Sequence, residues 1–507
     1  MGGQSDNLAG PDLQKGILAT DVREGATLLG HASGEAVILS RVDGKCHAMA
    51  ATCSHYGGPL AEGLVVDGTV RCPWHHACFN LRTGQALRPP ALNDLPCWRV
   101  DEVDGKVFVR EKIEQAAPKA RKKSGHPESI AIIGAGAAGQ VAAETLRREG
   151  YAGRITMYDP VVSEPVDRPN LSKDYLAGNA QPEWIPLRGP EWFAEHDVSL
   201  ARQEVRELDA KNRKLTLTDG SEPSFGAIIF APGAEPVRLD LPGTGPKVLY
   251  LRTLADSDAI IAAATGGARR VAVLGASFIG LEVAASLRAR GLEVHVAAPR
   301  ARPLELVLGP ELGDFVKSVH EEQGVTFHMG RTGRGLEKDH LILDDGSKLA
   351  ADFVVAGVGV RPRTKLAEAA GLRMDKGVAV NEYLETSAPG VFAAGDVARW
   401  PDPHTGQAIR VEHWVVAEDM GRAAARNALG ARERFDTVPF FWSAHYDVTI
   451  RYVGHAKKWD RTRVEGDPSS RDCSVSYIVG DKTLAVAAIN RDRAILEAEA
   501  RMARAIA

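Results

Sequence analysis

The sequence predicts several folding units in series: a small all-β domain, then an α/β assembly containing two dinucleotide-binding units. Three observations carry this expectation. The chain has 507 residues, more than one hydrophobic core holds together, so roughly two to four domains are expected. Residues 13–112 read as short β runs separated by glycine-containing turns. A strand, a glycine-rich turn and a helix then follow one another twice, beginning at Ser129 and at Arg270.

In the first unit the β runs fall at residues 36–39, 68–72 and 107–110. Asp43-Gly44, Asp67-Gly68 and Asp104-Gly105 are the turns between runs. This unit also carries the most informative residues of the chain. Cys53-Ser-His55 and Cys72-Pro-Trp-His75 are a Cys-x-His and a Cys-x-x-His pair with 16 residues between them. Two thiolates for one iron and two imidazoles for the other are the inventory of a Rieske-type 2Fe-2S cluster. Neutral imidazoles make such a cluster less negative and raise its potential to about −150 to +300 mV. A Cys2His2 zinc site uses the same ligand types, but usually as a Cys pair followed by a His pair. Here each pair is mixed, as needed when each of two loops gives one ligand to each iron. The plainer alternative is four unrelated residues. His76 adjoins His75, but the ligand spacing favours His75, and Cys78 reads as a packed thiol.

Residues 113–127 have no periodicity and contain Arg121-Lys122-Lys123, so they read as a solvated linker. A flexible tether of this length spans roughly 20 Å and holds two domains at an effective concentration on the order of mM.

The first α/β unit begins with the apolar run Ser129–Ile133, followed by Gly134-Ala-Gly136-Ala-Ala-Gly139 and a helical stretch to Arg148. The glycines allow a tight turn and close approach of a pyrophosphate to the helix N-terminus. A second strand ends at Asp159, 20 residues beyond Gly139, where a carboxylate can bind a ribose 2′-hydroxyl. The second unit runs from Arg270 through Gly275-Ala-Ser277-Phe-Ile-Gly280. Ser277 replaces the middle glycine, and no acid ends its second strand at Ala298. Arg300 or Arg302 could accept a 2′-phosphate, which would admit NADPH; both could equally be solvated loop charges.

Composition narrows the partners. A net charge of −4 gives no field for nucleic acid or a membrane surface. No apolar run approaches the ~20 residues of a membrane helix. Six cysteines in this length do not make a disulfide framework, so reduced thiols and a cytoplasmic location are expected. Met1–Asp6 lacks an apolar signal core and reads as a disordered tail.

The two ligand loops, Cys53-Ser-His55-Tyr-Gly-Gly-Pro-Leu and Cys72-Pro-Trp-His75-His76-Ala-Cys78-Phe, resemble those of Rieske ferredoxins, with His76 where that family usually has glycine. Thr386-Ser-Ala-Pro-Gly-Val-Phe-Ala-Ala-Gly395-Asp396 resembles the second flavin motif of FAD-dependent pyridine-nucleotide reductases. Phe230-Ala-Pro-Gly233, Gly357-Val-Gly359, Arg168-Pro-Asn-Leu-Ser-Lys173 and Glu412-His-Trp414 match the same superfamily. The whole chain resembles the Rieske-fused, apoptosis-inducing-factor-3-like branch of the oxygenase-coupled ferredoxin reductases.

The resemblance implies a glutathione-reductase-like flavoprotein core followed by a C-terminal α+β domain. The expected divisions are a Rieske domain at 13–112, the linker at 113–127, an FAD-binding domain at 128–245 and 359–432, an NAD(P)-binding domain at 246–358, and a C-terminal reductase domain at 433–507. It implies FAD on Gly134, Gly136, Gly139, Asp159, Arg168, Gly395, Asp396 and Trp414, and NADH or NADPH on Gly275, Ser277, Gly280 and Gly359. Lys173 is expected beside the flavin, paired with Glu282, and both are the candidate catalytic residues. The cluster ligands are Cys53, His55, Cys72 and His75. The aromatics of residues 439–446 are expected to form interface core and not a ligand site, and His445 and His455 to be packing or surface residues. No Cys-x-x-Cys lies on the flavin side, so disulfide reduction is unsupported.

The implied activity passes electrons from NAD(P)H through FAD to the cluster. The exposed edges of His55 and His75 would then hand them to an acceptor protein, such as an oxygenase or haem protein. The protein itself would be a monomer or homodimer. Two other readings are an NAD(P)H oxidase and a non-enzymatic, NADH-responsive redox sensor. Neither needs a tethered one-electron relay.

Overall fold

The computed structural model describes residues 8–114, 124–161 and 164–506. The expected N-terminal tail and the middle of the expected linker lie outside them.

The first domain is built on two antiparallel sheets. One has six strands in the spatial order Ile17–Leu18, Lys106–Ile113, Cys97–Val103, Lys45–Ala50, Glu35–Val42 and Thr27–Ala32. The other has four: Leu64–Val66, Thr69–Arg71, Cys78–Asn80 and Ala86–Arg88. The Asp-Gly pairs make the hairpins because both central residues take positive φ, as at Asp43 (51°) and Gly44 (74°). Such turns match the strand twist. Ile38, Met49, Phe79 and Leu81 pack between the sheets and are fully buried. The run at 68–72 forms a strand only over Thr69–Arg71. Cys72 leaves the ladder, and its N–H donates instead to the Ala77 carbonyl at 2.8 Å, which folds the loop back.

The two α/β units are both five-stranded parallel sheets. The first has the order Val198–Ala201, Arg154–Tyr158, Ser129–Ile133, Ala227–Phe230, Val391–Ala393. The last of these strands comes from far along the chain. The second has the order Lys247–Leu249, Phe353–Ala356, Arg270–Leu274, Glu293–Ala298, Val325–Met329. Their apolar runs are buried on both faces, as a parallel sheet between helices requires. The glycine turns bring helix and strand together. A Cβ on Gly139 would stand 2.0 Å from the Gly134 carbonyl oxygen, and one on Gly280 would stand 2.1 Å from that of Gly275.

The last unit is an antiparallel sheet of five strands, Phe440–His445, Val448–Gly454, Lys482–Ile489, Asp472–Val479 and Arg461–Asp467, with the helix Asp492–Arg504 packed on it. This helix also meets the first domain. Leu496 and Ala500 bury against Leu64 and Val66 of the four-stranded sheet. The cluster-loop domain is thus seated on the reductase.

Candidate functional site

The structure brings the four expected cluster ligands together from the tips of two neighbouring loops. The Cys53 N–H donates to the Gly58 carbonyl at 2.9 Å, and the Gly57 N–H donates back to Cys53 at 3.0 Å. The second loop closes by the Cys72–Ala77 bond. Cys53 and Cys72 are buried with their thiols hydrogen-bonded to each other, and the His55 and His75 Nδ1 atoms stand 3.2 Å apart. Gly58 has no substitute here, because a Cβ would lie 2.6 Å from the Cys72 sulfur.

The electrostatics suit metal binding. Burial pushes His55 down to about 3 and His75 well below its ordinary value, so both imidazoles are neutral. The Cys53 thiol donates to Cys72 and lowers it, aided by the Trp74 and His75 backbone. Cys53 is raised by the same bond and by burial. Neutral imidazole and thiolate are the metal-binding forms. Two pairs, one of sulfur and one of nitrogen, fit two irons.

His55 and His75 are half-buried, and the His75 ring lies 4.3 Å from Trp442, centroid to centroid. Exposed edges were the expectation; the reductase covers part of this side of the loops through Trp442. Arg451 donates to the Trp74 carbonyl at 2.9 Å and pairs with Asp492 at 2.7 Å. Next to the ligand, His76 has φ 64°, the left-handed region where glycine is least strained. It is buried, stacks on Phe440 at 3.8 Å, and its Nδ1 meets Glu499 Oε2 at 2.5 Å. Arg88 joins the same carboxylate at 3.1 Å and Asp419 at 3.2 Å, and Arg71 lies 3.5 Å from Glu499. Burial raises the Glu499 carboxyl, but His76, Arg88 and Arg71 outweigh it and hold the group ionised.

A single cavity runs between the two α/β units. Gly136, Arg168, Lys173, Gly395, Asp396 and Trp414 line it from the first, and Ser277, Gly280, Glu282 and Gly359 from the second. Gly134, Gly139 and Gly275 shape the turns behind it. Asp159 sits at the first turn and accepts from the Ala135 N–H at 3.1 Å. Lys173 donates to Glu282 at 2.8 Å, where the loop after Arg168 meets the helix Phe278–Ala289. Arg168 faces the first glycine turn, and Arg252 faces the neighbouring turn at Gly233. A Cβ on Gly136 would lie 3.3 Å from Arg168, and one on Gly233 would lie 3.2 Å from Arg252. Burial, and then Arg252, push Arg168 down to about 10. Crowded cations beside a turn that admits no Cβ fit a dinucleotide pyrophosphate. Arg252 also pairs with Asp396 at 2.8 Å.

Sequence reasoning missed several residues. Trp442 and Phe441 line the cavity, where only packing was expected of the aromatic stretch. His445 belongs to a buried polar chain with Ser443. Arg252 and Glu499 carry no local motif. Their roles exist only because remote segments meet.

The comparisons with known proteins fit this geometry. Residues 128–421 match the family described as pyridine nucleotide-disulphide oxidoreductase. The chain belongs to that family. Residues 14–99 match the Rieske [2Fe-2S] domain, and residues 440–507 match the reductase C-terminal domain. Apoptosis-inducing factor 3 of Homo sapiens is 34% identical over 480 residues, covering 90% of this chain and 78% of that protein. Putidaredoxin reductase of Pseudomonas putida is 33% identical over 376 residues, 72% of this chain and 89% of the relative. The structure of the covalent putidaredoxin reductase–putidaredoxin complex matches with a TM-score of 0.72 at 32% identity, over 74% of this chain and 93% of that one. The chain is therefore an FAD-dependent pyridine-nucleotide oxidoreductase of the two-dinucleotide-domain fold, with a Rieske 2Fe-2S domain in front. The family name refers to a disulphide, yet none of the six cysteines here forms one. No helix among the described residues is long and apolar enough to cross a membrane.

Proposed function

We propose that this oxidoreductase passes electrons from NAD(P)H through its flavin cavity to its own Rieske centre, and from there to a separate acceptor protein. One observation supports the route above all. Trp442 lines the cavity, and its ring lies 4.3 Å from that of His75. When bound, FAD accepts a hydride from the nicotinamide and gives up its two electrons singly, which a 2Fe-2S centre can take one at a time. The chain's residues supply placement. Cys53, His55, Cys72 and His75 hold the cluster. The first glycine turn, Arg168 and Arg252 would hold the FAD pyrophosphate, and Asp396 would hold its ribityl chain. Ser277, Gly280 and Gly359 bound the nicotinamide side. Lys173 and Glu282 set the charge where the two meet.

Putidaredoxin reductase is seen in complex with putidaredoxin, a separate chain. Here the iron–sulfur partner is part of the same polypeptide. The contact of Trp442 with His75 makes that side the inlet for electrons, so the acceptor reads the cluster from the part of the loops that stays exposed, beside Tyr56. Arg302 is committed to Asp314 at 2.7 Å, which leaves Arg300 as the candidate contact for a 2′-phosphate.

The test is anaerobic rapid mixing of the loaded protein with NADH or NADPH, following flavin absorbance and the cluster EPR signal together. Flavin bleaching followed by cluster reduction is expected. Flavin reduction with a cluster that stays oxidised would overturn the route.

A further inference from the structure

The mechanism above leaves a proton unassigned. Oxidation of one NAD(P)H with departure of two single electrons produces NAD(P)+ and one proton. We propose that this proton leaves the Lys173/Glu282 end of the cavity along a buried chain, Glu282–Ser443–His445–His320–Tyr446. The inference rests on the reading of Lys173 and Glu282 as the flavin-side pair.

The chain is continuous and built from three remote segments. Glu282 Oε2 accepts from Lys173 at 2.8 Å and from Ser172 at 2.5 Å. Its other oxygen accepts from Ser443 Oγ at 2.5 Å. Ser443 Oγ lies 3.1 Å from His445 Nε2, His445 Nδ1 lies 3.2 Å from His320 Nε2, and His320 Nδ1 lies 3.4 Å from the Tyr446 hydroxyl. Glu282, Ser443, His445 and His320 are at most 2% exposed, so the chain between its ends is shielded from solvent. Tyr446 is half-buried beside the exposed Asp447 and forms the outer end.

Hydrogen-bond logic fixes every proton. A Glu282 carboxylate ion-paired with Lys173 only accepts, so Ser443 spends its single hydrogen on it. His445 Nε2 must then donate to Ser443. A neutral imidazole has one N–H, so His445 Nδ1 accepts from His320 Nε2–H, and His320 Nδ1 accepts from Tyr446. Both imidazoles are neutral, since burial pushes each down to about 3. All bonds therefore point inward, which is the state of a relay after a proton has left it.

Release begins from the opposite polarity. The Glu282 O–H breaks as an O–H forms on Ser443, whose own proton passes to His445 Nε2. The His445 Nδ1–H passes to His320 Nε2, and the His320 Nδ1–H passes to Tyr446 as the Tyr446 O–H passes to water. Five bonds to hydrogen break and five form. Glu282 is left ionised and one proton stands in water. A merely satisfied polar core would show the same distances but would carry no proton.

The full chain loaded with FAD and cluster tests this in two ways. In protein with 15N-labelled histidine, the chemical shifts of His320 and His445 should report Nε2–H for both; Nδ1–H at either would overturn the relay. In rapid mixing with NADH and an excess of oxidised one-electron acceptor, a pH-indicator dye reads proton release. His445→Gln keeps a donor but cannot pass a proton, and His445→Phe removes both functions. Each should slow release on the order of 10²-fold, as expected for loss of a positioned proton donor, and reduce the solvent isotope effect on it. Wild-type release in folded His445→Gln would overturn the proposal. Glu282→Gln separates the two readings. If it leaves nicotinamide oxidation and release unchanged, the flavin-side assignment of Glu282 falls. If it slows both while His445→Gln does not, only the relay falls.

Discussion

The two loops that carry the cluster ligands and the surface on which those loops sit are adjacent, yet they are built by different rules. The loops are local. Their ligands fall within residues 53–75, and backbone hydrogen bonds inside each loop aim the side chains. The surface is assembled from afar: Arg71 and Arg88 of one domain meet Glu499, Arg88 also meets Asp419, and Arg451, paired with Asp492, donates to the Trp74 carbonyl. The difference teaches that ligand placement and domain docking are separable properties. Short-range spacing sets the first, and a buried ionic network sets the second.

The strongest way to break the comparison is at the loops. Cys72→Ser should remove the cluster, seen as loss of iron, sulfide and the EPR signal, while FAD content stays at one per chain. Loss of FAD as well would mean that loops and reductase fold as one unit. Next comes the surface. Glu499→Ala leaves His76, Arg88 and Arg71 around an empty position. Removing one partner of a buried ion network costs about 3–5 kcal/mol. The expected result is a cluster that is still bound but slowly reduced, with a lower denaturation midpoint for the first domain; unchanged cluster reduction would show that Glu499 does not hold the dock.

Trp442→Ala lies between the two regions. It should slow cluster reduction roughly tenfold, about 1.4 kcal/mol of barrier, and leave flavin reduction by NADH nearly unchanged. Stopped-flow spectroscopy of both centres reads the split, and equal slowing of both would assign Trp442 to the flavin pocket alone. The smallest effect is expected from His76→Gly. Relief of the φ 64° backbone gains about 1 kcal/mol. Loss of the stack on Phe440 and of the bond to Glu499 costs about 2–4 kcal/mol. The net is a dock weaker by about 1–3 kcal/mol with the cluster retained, measurable as a modest fall in midpoint. A gain in stability would mean that the His76–Glu499 bond contributes little.

Legibility follows the same division. The Asp-Gly hairpins, the glycine turns and the strands around them were readable because each is a short-range steric demand. Lys173 and Glu282 were readable only through family resemblance, since 108 residues separate them. His76 was visible as a departure from the usual glycine, but its reason was not: Glu499 lies 423 residues away. The aromatic stretch was assigned to packing, which suits Phe440 but not Trp442. Alternation along the strand Phe440–His445 separates the two faces, yet it cannot say which neighbour each face meets.

The sequence alone determined the cofactor set, the order of domains and the ligand pairs, because ligand chemistry and turn geometry act over a few residues. Only the tertiary structure decided which way the imidazoles face, what bridges the cavity to the cluster, and where a buried carboxylate finds its partners. Those are contacts between segments hundreds of residues apart, and no local steric or hydrogen-bonding rule encodes them.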